Sequence, residues 1–151
     1  HRPVCDVCPL QAACIARRQG RQAELPSPAP RKVLPERVSS VLLLSDGCRV
    51  FLERRPPSGL WGGLLSLPEA LSESAASFAR RQGCRLLGTQ ALSPMTHAFT
   101  HFRLILQILR CDVEVISLQV REHGYEWLLL DDLAGAALPT PIKKLLLSLG
   151  R

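Results

Sequence analysis

The stretch from Arg54 to Gly83 constrains the fold of this chain more than any other part of the sequence. From Arg55 to Glu69 it reads RPPSGLWGGLLSLPE, and a helix-like run follows from Ser72 to Gln82. Gly and Pro are the strongest breakers of regular structure, so their clusters on either side of the apolar run predict loops. The stretch therefore predicts a loop, a short strand and a second loop that leads into a helix.

The spacing of Gly63 and Glu69 resembles the opening of a Nudix box, the signature of MutT-type nucleotide pyrophosphohydrolases. In that signature Arg-Glu and then a Glu-Glu pair follow on a helix, where carboxylates hold Mg²⁺ because this hard cation needs oxygen ligands. The corresponding positions here are Ser77-Phe78 and Arg81-Gln82, and none of these residues is an acid. We therefore expect a Nudix-like scaffold that binds no Mg²⁺, although so short a spacing also arises by chance.

The longer string RPPSGLWGGL, from Arg55 to Leu64, closely resembles the C-terminal part of MutY-type adenine DNA glycosylases. The resemblance covers nearly the whole chain. It implies an α/β fold, with a Nudix-like mixed β-sheet sandwiched by helices and preceded by a short helical cysteine segment and a Pro-rich linker. The expected domains are a remnant of an iron–sulfur cluster motif (1–19), an interdomain linker (20–36) and a MutT-like recognition domain (37–151).

The composition indicates a globular, intracellular chain. With 151 residues, of which 46% are hydrophobic, the chain can hold one domain with a substantial core and a small appendage. Its apolar runs are too short to cross a bilayer and its first residues lack the apolar segment of a signal peptide, so we expect a cytoplasmic protein. The sequence does not begin with methionine, and Met95 is the one methionine in it, so we expect a fragment. The net charge of +6 permits contact with phosphates without requiring it.

Three cysteines near the start, Cys5, Cys8 and Cys14, form a C-x2-C-x5-C pattern. Thiolates at this spacing can converge on one soft metal centre, and an intracellular chain favours ligation over disulfides. Three ligands do not close a four-ligand site, so a zinc site completed by another residue and three free thiols remain alternatives. The MutY-type family carries C-x6-C-x2-C-x5-C around a 4Fe–4S cluster. The resemblance implies that these cysteines ligate that cluster in the intact protein, that the first family cysteine lies upstream of His1, and that this fragment holds no intact cluster.

The segments that follow these cysteines predict a helix and a linker. Residues from Pro9 to Arg18 predict a short helix, since Pro is tolerated in a first turn. Four prolines between Gly20 and Pro35 predict an extended, stiffened linker. Its basic residues either lie along a DNA backbone or are simply solvated; they are Arg21, Arg31 and Lys32.

Turn signals between apolar runs predict the rest of the fold. Ser45–Gly47 separates two apolar runs and predicts a hairpin, and Gly83 predicts the end of a helix that Ser72 caps. Thr140 is the expected cap of the last helix, with Pro141 at its first position. Three further strands and a helical turn are predicted at Arg85–Leu92, His101–Val115, Gly124–Leu130 and Asp131–Leu133.

A second stretch, from Ser93 to Leu104, carries the best candidates for contact with a ligand. Strand alternation would place His97, Phe99 and His101 on one face and Thr100 on the other, unless a turn intervenes. The alternative interpretation is that the phenylalanines of this stretch belong to the core and its histidines to the surface.

The MutY-type family carries a Phe-Ser-His segment here, on a hairpin that reads 8-oxoguanine in DNA, and Phe99-Thr100-His101 matches it with Thr for Ser. 8-Oxoguanine carries a hydrogen on N7, where guanine has an acceptor, and an oxygen on C8. A hydroxyl can accept from N7–H and a backbone N–H can donate to O8, although a freely rotating hydroxyl could also donate to guanine. The resemblance therefore implies that Phe99, Thr100 and His101 contact DNA, and His97 is a further candidate.

The resemblance also implies an activity for the whole protein. In such glycosylases an N-terminal catalytic domain flips adenine out of a mispair with 8-oxoguanine and cuts its glycosidic bond. We expect that domain to be absent here, so this fragment has no catalytic residues and is inactive alone. Its expected partners are double-stranded DNA with such mispairs and its own N-terminal catalytic domain, without a membrane. The rival hypotheses are an active Nudix hydrolase of oxidised nucleotides and an interaction module with no DNA role.

Overall fold

The chain divides into two units, residues 1–33 and 34–151. The computed structural model describes residues 3–27, 33–69, 73–117 and 124–149. In the first unit these residues form one short helix, α1 (Ile15–Arg18), and two 3₁₀ helices, Cys5–Val7 and Gln22–Glu24.

The first unit differs from the sequence-based prediction in two places. The helix predicted from Pro9 begins at Ile15, because residues 9–13 form turns and Cys14 has an extended backbone with a ψ of 111°. The linker predicted to be extended contains the 3₁₀ helix Gln22–Glu24 in its described part. Residues 28–32, with Arg31 and Lys32, lie outside the described residues.

Seven strands form one mixed sheet in the described part of the second unit. The central order is β3-β2-β1-β6-β4, with β5 also paired to β6 and β7 to β2. β1 and β6 run parallel, and the other pairs are antiparallel. The strands are β1 (Glu36–Ser45), β2 (Arg49–Arg54), β3 (Leu65–Ser66), β4 (Cys84–Ala91), β5 (Met95–Ala98), β6 (Arg103–Val115) and β7 (Tyr125–Leu129).

The helix after β3 is α2 (Ala75–Arg81), and its cap differs from the predicted one. The Ser74 hydroxyl accepts a hydrogen bond from Ser77 N at 3.2 Å, which is the usual way to satisfy a free N–H at a helix start. The cap predicted at Ser72 is therefore wrong, and Ser72 itself lies outside the described residues. Gly83 ends the helix as predicted, with a φ of +75° that favours glycine.

The last helix, α3 (Thr140–Leu149), follows a 3₁₀ helix at Leu130–Ala134. Its first backbone bond runs from Lys143 N to Pro139 O at 2.9 Å, so Thr140 lies inside the first turn and not before it. Lys143 Nζ donates to Ala134 O at 2.5 Å, which ties α3 to the preceding 3₁₀ helix. Within the described ranges, no helix has the length and apolar character needed to span a membrane.

The second half of β1 is buried on both faces because helices cover both sides of the sheet. One core contains Val41 and Leu43 together with Ile142 of α3. The other contains Leu42 together with Phe78 of α2. A strand buried on both faces reads as a continuous apolar run, as residues 41–44 of β1 do. The sheet between two helical layers confirms the predicted α/β sandwich.

The core beneath α2 is aromatic. Phe51 is fully buried, and its ring stacks on Tyr125 at 5.4 Å and meets Trp127 at 5.2 Å and Phe78 at 6.2 Å. Cys111 lies in the same core, and burial raises the pKa of its thiol to about 11. That thiol is therefore protonated at neutral pH and packs as a small apolar side chain.

Candidate nucleic-acid interface

The tip of the β5–β6 hairpin carries the residues predicted to contact DNA. The two strands pair up to the residues that flank 99–102. Phe99 N donates a hydrogen bond to Phe102 O at 2.8 Å, which closes the tip. Thr100 and His101 are exposed at its end, so both side chains are accessible to a ligand.

The two phenylalanines of the tip lie side by side. The rings of Phe99 and Phe102 stack with their centroids 4.7 Å apart and their planes inclined by 22°. Uninterrupted strand alternation would have placed them on opposite faces, but the turn at Thr100 and His101 brings them together. Both rings are half-buried and pack against the core under α3, so they anchor the tip to the sheet.

The loop from Arg55 to Leu64 folds into a tight turn that depends on its glycines. Gly62 approaches Pro57 so closely that a Cβ at this position would lie 2.4 Å from the Pro57 carbonyl oxygen. Gly63 has a φ of +75°, a conformation that costs glycine little, and its N donates to Arg55 O at 3.2 Å. The Gly-Gly pair after the tryptophan is therefore a requirement of the backbone in this loop.

Trp61 links this loop to the hairpin. Its φ of 56° is left-handed, which costs a non-glycine residue about 1–3 kcal/mol. Its ring lies 6.1 Å from Phe99 and 6.4 Å from His97, and these two rings meet edge to face at 4.6 Å. Favourable ring contacts of this kind offset part of the backbone strain.

We call Trp61, His97, Phe99 and Phe102 the aromatic platform. The platform joins the two stretches singled out in the sequence and supports the exposed tip. Sequence patterns do not reveal this junction, because Trp61 and His97 are far apart in the chain and no periodicity relates them. The available sequence signal for this contact was a tryptophan in a glycine-rich loop.

Arg37 extends the platform across the sheet. In the parallel register of β1 and β6, Arg37 lies opposite Leu104, which in turn lies opposite His97 of β5. The Arg37 guanidinium carbon lies 4.6 Å from the centroid of the Phe102 ring, a cation–π contact. Arg37 is exposed, so a cation flanks the hairpin tip. Sequence patterns did not single out this residue.

Comparison with known protein families decides the assignment of the fold. Residues 40–148 match the family model described as the NUDIX domain. The chain belongs to the Nudix domain family.

The relatives of this Nudix domain include DNA glycosylases. The adenine DNA glycosylase of Buchnera aphidicola subsp. Acyrthosiphon pisum (strain APS) is 24% identical over 147 residues, which cover 96% of this chain and 42% of that protein. The chain thus spans less than half the length of this relative and of a second Buchnera adenine DNA glycosylase. Among solved structures, the C-terminal domain of mouse MUTYH, in complex with human PCNA, matches with a TM-score of 0.53 and 22% identity over 76% of this chain and 85% of that chain. The MutT protein from Methanosarcina mazei Go1 has the same fold, with a TM-score of 0.52 and 19% identity over 79% of this chain and 96% of that chain.

The helix positions that carry acids in an active Nudix box hold other residues in this Nudix domain. Phe78 is 3% exposed and belongs to the core. Gln82 is 1% exposed, and its side-chain amide has no hydrogen-bond partner among the described residues. The Arg81 guanidinium pairs with Glu73 and lies 5.1 Å from the Phe78 ring centroid. These positions therefore offer no carboxylate to a cation.

Glu69, the acid that matches the Nudix spacing, contacts an arginine. Arg55 Nη2 lies 2.9 Å from Glu69 Oε1, and Arg55 Nη1 lies 3.8 Å from Glu53 Oε1. Burial raises the pKa of Glu53, the charge of Arg55 opposes this rise, and the charge of Glu69 adds to it. The guanidinium thus supplies positive charge to both carboxylates. That the Nudix domain binds no Mg²⁺ stays a prediction.

The three cysteines of the first unit do not form a ligand set in this structure. Cys5, Cys8 and Cys14 are half-buried free thiols. Across the described ranges, no group of three His, Cys, Asp or Glu side chains is arranged to hold a metal ion. A 4Fe–4S cluster takes four thiolates, so the residues present do not fit it. Ligation by these cysteines stays a prediction for a longer chain.

Proposed function

We propose that this Nudix domain recognises 8-oxoguanine in duplex DNA, as part of an adenine DNA glycosylase that removes adenine mispaired with that lesion. The observation that carries the proposal is the hairpin tip, where Thr100 and His101 are exposed above the aromatic platform. Bacterial and human relatives named adenine DNA glycosylase support it. The net charge of +6 favours a polyanionic partner.

The Thr100 hydroxyl supplies the chemistry that the lesion requires. 8-Oxoguanine presents a donor at N7 and an acceptor at O8, whereas guanine presents an acceptor at N7. In the proposed contact the hydroxyl accepts from N7–H while a backbone N–H of the tip donates to O8. Within the described residues the hydroxyl has no hydrogen-bond partner, so a group of the bound DNA must hold its hydrogen away from N7, and this orientation is part of the proposal. Guanine leaves one of these two groups unmatched, which costs about 1–3 kcal/mol.

The neighbours of Thr100 complete the proposed contact surface. His101 is exposed beside it and can donate to a phosphate or a base edge. Phe99 is held by the other rings of the platform, so the exposed part of its ring is what can stack beside the lesion. We assign His97 a positioning role, because it is half-buried and its ring contacts Phe99 and Trp61.

We propose that adenine excision takes place in another domain of a longer protein. Excision requires a deep pocket for the flipped base, whereas the platform is an open surface at the end of a sheet. The Buchnera relative has more than half of its length outside the match to this chain. In this proposal Cys5, Cys8 and Cys14 ligate a cluster with a fourth cysteine of the longer protein, and the 151-residue chain alone removes no adenine.

The test is binding of the 151-residue chain to three duplexes that differ in one base pair: A:8-oxoG, A:G and A:T. We expect the chain to bind A:8-oxoG about 5- to 150-fold more tightly than A:G, which corresponds to one unmatched polar group. Binding to all three duplexes should weaken as salt rises, since phosphate contacts release counterions. Fluorescence anisotropy at several salt concentrations measures both quantities.

Three results would contradict the proposal in different ways. Equal affinity for A:8-oxoG and A:G would exclude lesion recognition. Absence of DNA binding at low salt would favour an interaction module with a protein partner. Mg²⁺-dependent release of pyrophosphate or phosphate from an oxidised nucleotide would support a Nudix hydrolase.

A further inference from the structure

Arg37 lies beside the hairpin tip on the side of the sheet that carries the platform. Arg37 and Val41 are four residues apart in β1, an even spacing that places both side chains on the same face of the sheet. Val41 belongs to the core under α3. The Arg37 guanidinium lies 4.6 Å from the Phe102 ring, and that ring stacks on Phe99 at 4.7 Å. The Phe102 ring therefore lies between the cation and Phe99, the residue that precedes Thr100.

Arg37 also differs from most arginines of the second unit in its lack of an acidic partner. Seven arginines there pair with a carboxylate within 4.0 Å. In the described part of residues 34–151, Arg37 and Arg80 have no such partner. The acid next to Arg37 in sequence, Glu36, pairs with Arg103 at 3.1 Å. The charge of Arg37 is thus available to an external anion.

The contact with Phe102 fixes where that charge lies, because the guanidinium carbon is 4.6 Å from the ring centroid. The guanidinium carries five N–H donors in a planar fork that matches a phosphate. A duplex whose lesion is read by Thr100 must bring backbone phosphates close to the tip. We infer that Arg37 binds a backbone phosphate beside the lesion, an assignment that rests on the proposed function.

The test compares Arg37→Gln with a matched control, Arg80→Gln. Arg80 is also exposed and without a carboxylate partner, but it lies on α2, which covers the opposite face of the sheet. For Arg37→Gln we expect the slope of log affinity against log salt to become shallower by about 0.9, the value for one phosphate contact. The ratio of affinities for A:8-oxoG and A:G should not change, because a phosphate contact carries no base information. Arg80→Gln should retain the wild-type slope, and Arg37→Lys, which keeps the charge, should nearly do so.

An unchanged slope for Arg37→Gln, or an equal change for Arg80→Gln, would overturn the assignment. Saturable binding of inorganic phosphate alone, at fixed ionic strength, would instead indicate a site for free anions. The proposed function fails separately, when the wild-type chain binds A:8-oxoG and A:G equally. In that case a slope change confined to Arg37→Gln would still report a phosphate contact.

Discussion

Replacement of Thr100 by valine is expected to abolish most of the preference for A:8-oxoG over A:G. Valine keeps the shape of threonine but replaces its hydroxyl by a methyl group. The hydrogen on N7 of the lesion then has no acceptor, so the preference should fall by about 1–3 kcal/mol, or about 5- to 150-fold. Thr100 is exposed, and exposed substitutions change stability by about 0.5 kcal/mol or less, so the variant should fold normally.

Thr100→Ser is the matched control because it keeps the hydroxyl and removes a methyl group. We expect it to retain the wild-type preference in the same anisotropy assay. A valine variant that loses affinity equally for both duplexes would contradict a reading role, since the hydroxyl would then contribute to DNA binding in general. A serine variant that behaves like the valine variant would indicate that the methyl group, and not the hydroxyl, makes the contact.

Replacement of Phe51 by alanine is expected to have the largest effect on stability. Phe51 is fully buried among three other aromatic rings, which leaves the truncated site no way to collapse without moving α2 or β7. Large-to-small changes at such sites cost about 3–5 kcal/mol, which is a large part of the stability of a domain of this size. The midpoint of urea unfolding should fall strongly while the slope of the transition stays the same.

The control for this substitution is Leu87→Ala, because Leu87 also lies in the sheet but is 63% exposed. Its unfolding free energy should change by about 0.5 kcal/mol or less. A loss below about 1 kcal/mol for Phe51→Ala would mean that this aromatic core is not packed as described.

Much of the fold can be predicted because local signals and the hydrophobic pattern agree. The turn at Ser45–Gly47 separates two runs whose apolar character suits strands, and these runs form β1 and β2. The apolar run of β1 fits a strand buried on both faces, which requires helices on both sides of the sheet. Gly83 marks a helix end because its left-handed backbone suits glycine.

The cap of α2 could not be placed as reliably, because several serines precede the helix. Ser72 and Ser74 are both suitable caps by residue type, and only the backbone path selects Ser74. The start of α3 is also uncertain from sequence by one residue: Thr140 was the predicted cap, and it lies in the first turn.

The candidate site is less predictable, because it is assembled from segments that only tertiary structure brings together. Arg37 reaches Phe102 through the parallel pairing of β1 with β6, a register that no local pattern specifies. Trp61 reaches Phe99 from a left-handed backbone conformation that is rare for tryptophan. The Phe-Thr-His segment itself was recognisable from the sequence, whereas the platform beneath it was not.

The most direct test of lesion reading is a titration of the ¹⁵N-labelled 151-residue chain with matched A:8-oxoG and A:G duplexes, followed by the backbone amide signals. We predict larger shifts at Thr100 and His101 with A:8-oxoG than with A:G, and little change at Arg80 on α2 with either duplex. Shifts confined to Glu69 and α2, with the hairpin tip unaffected by both duplexes, would contradict it.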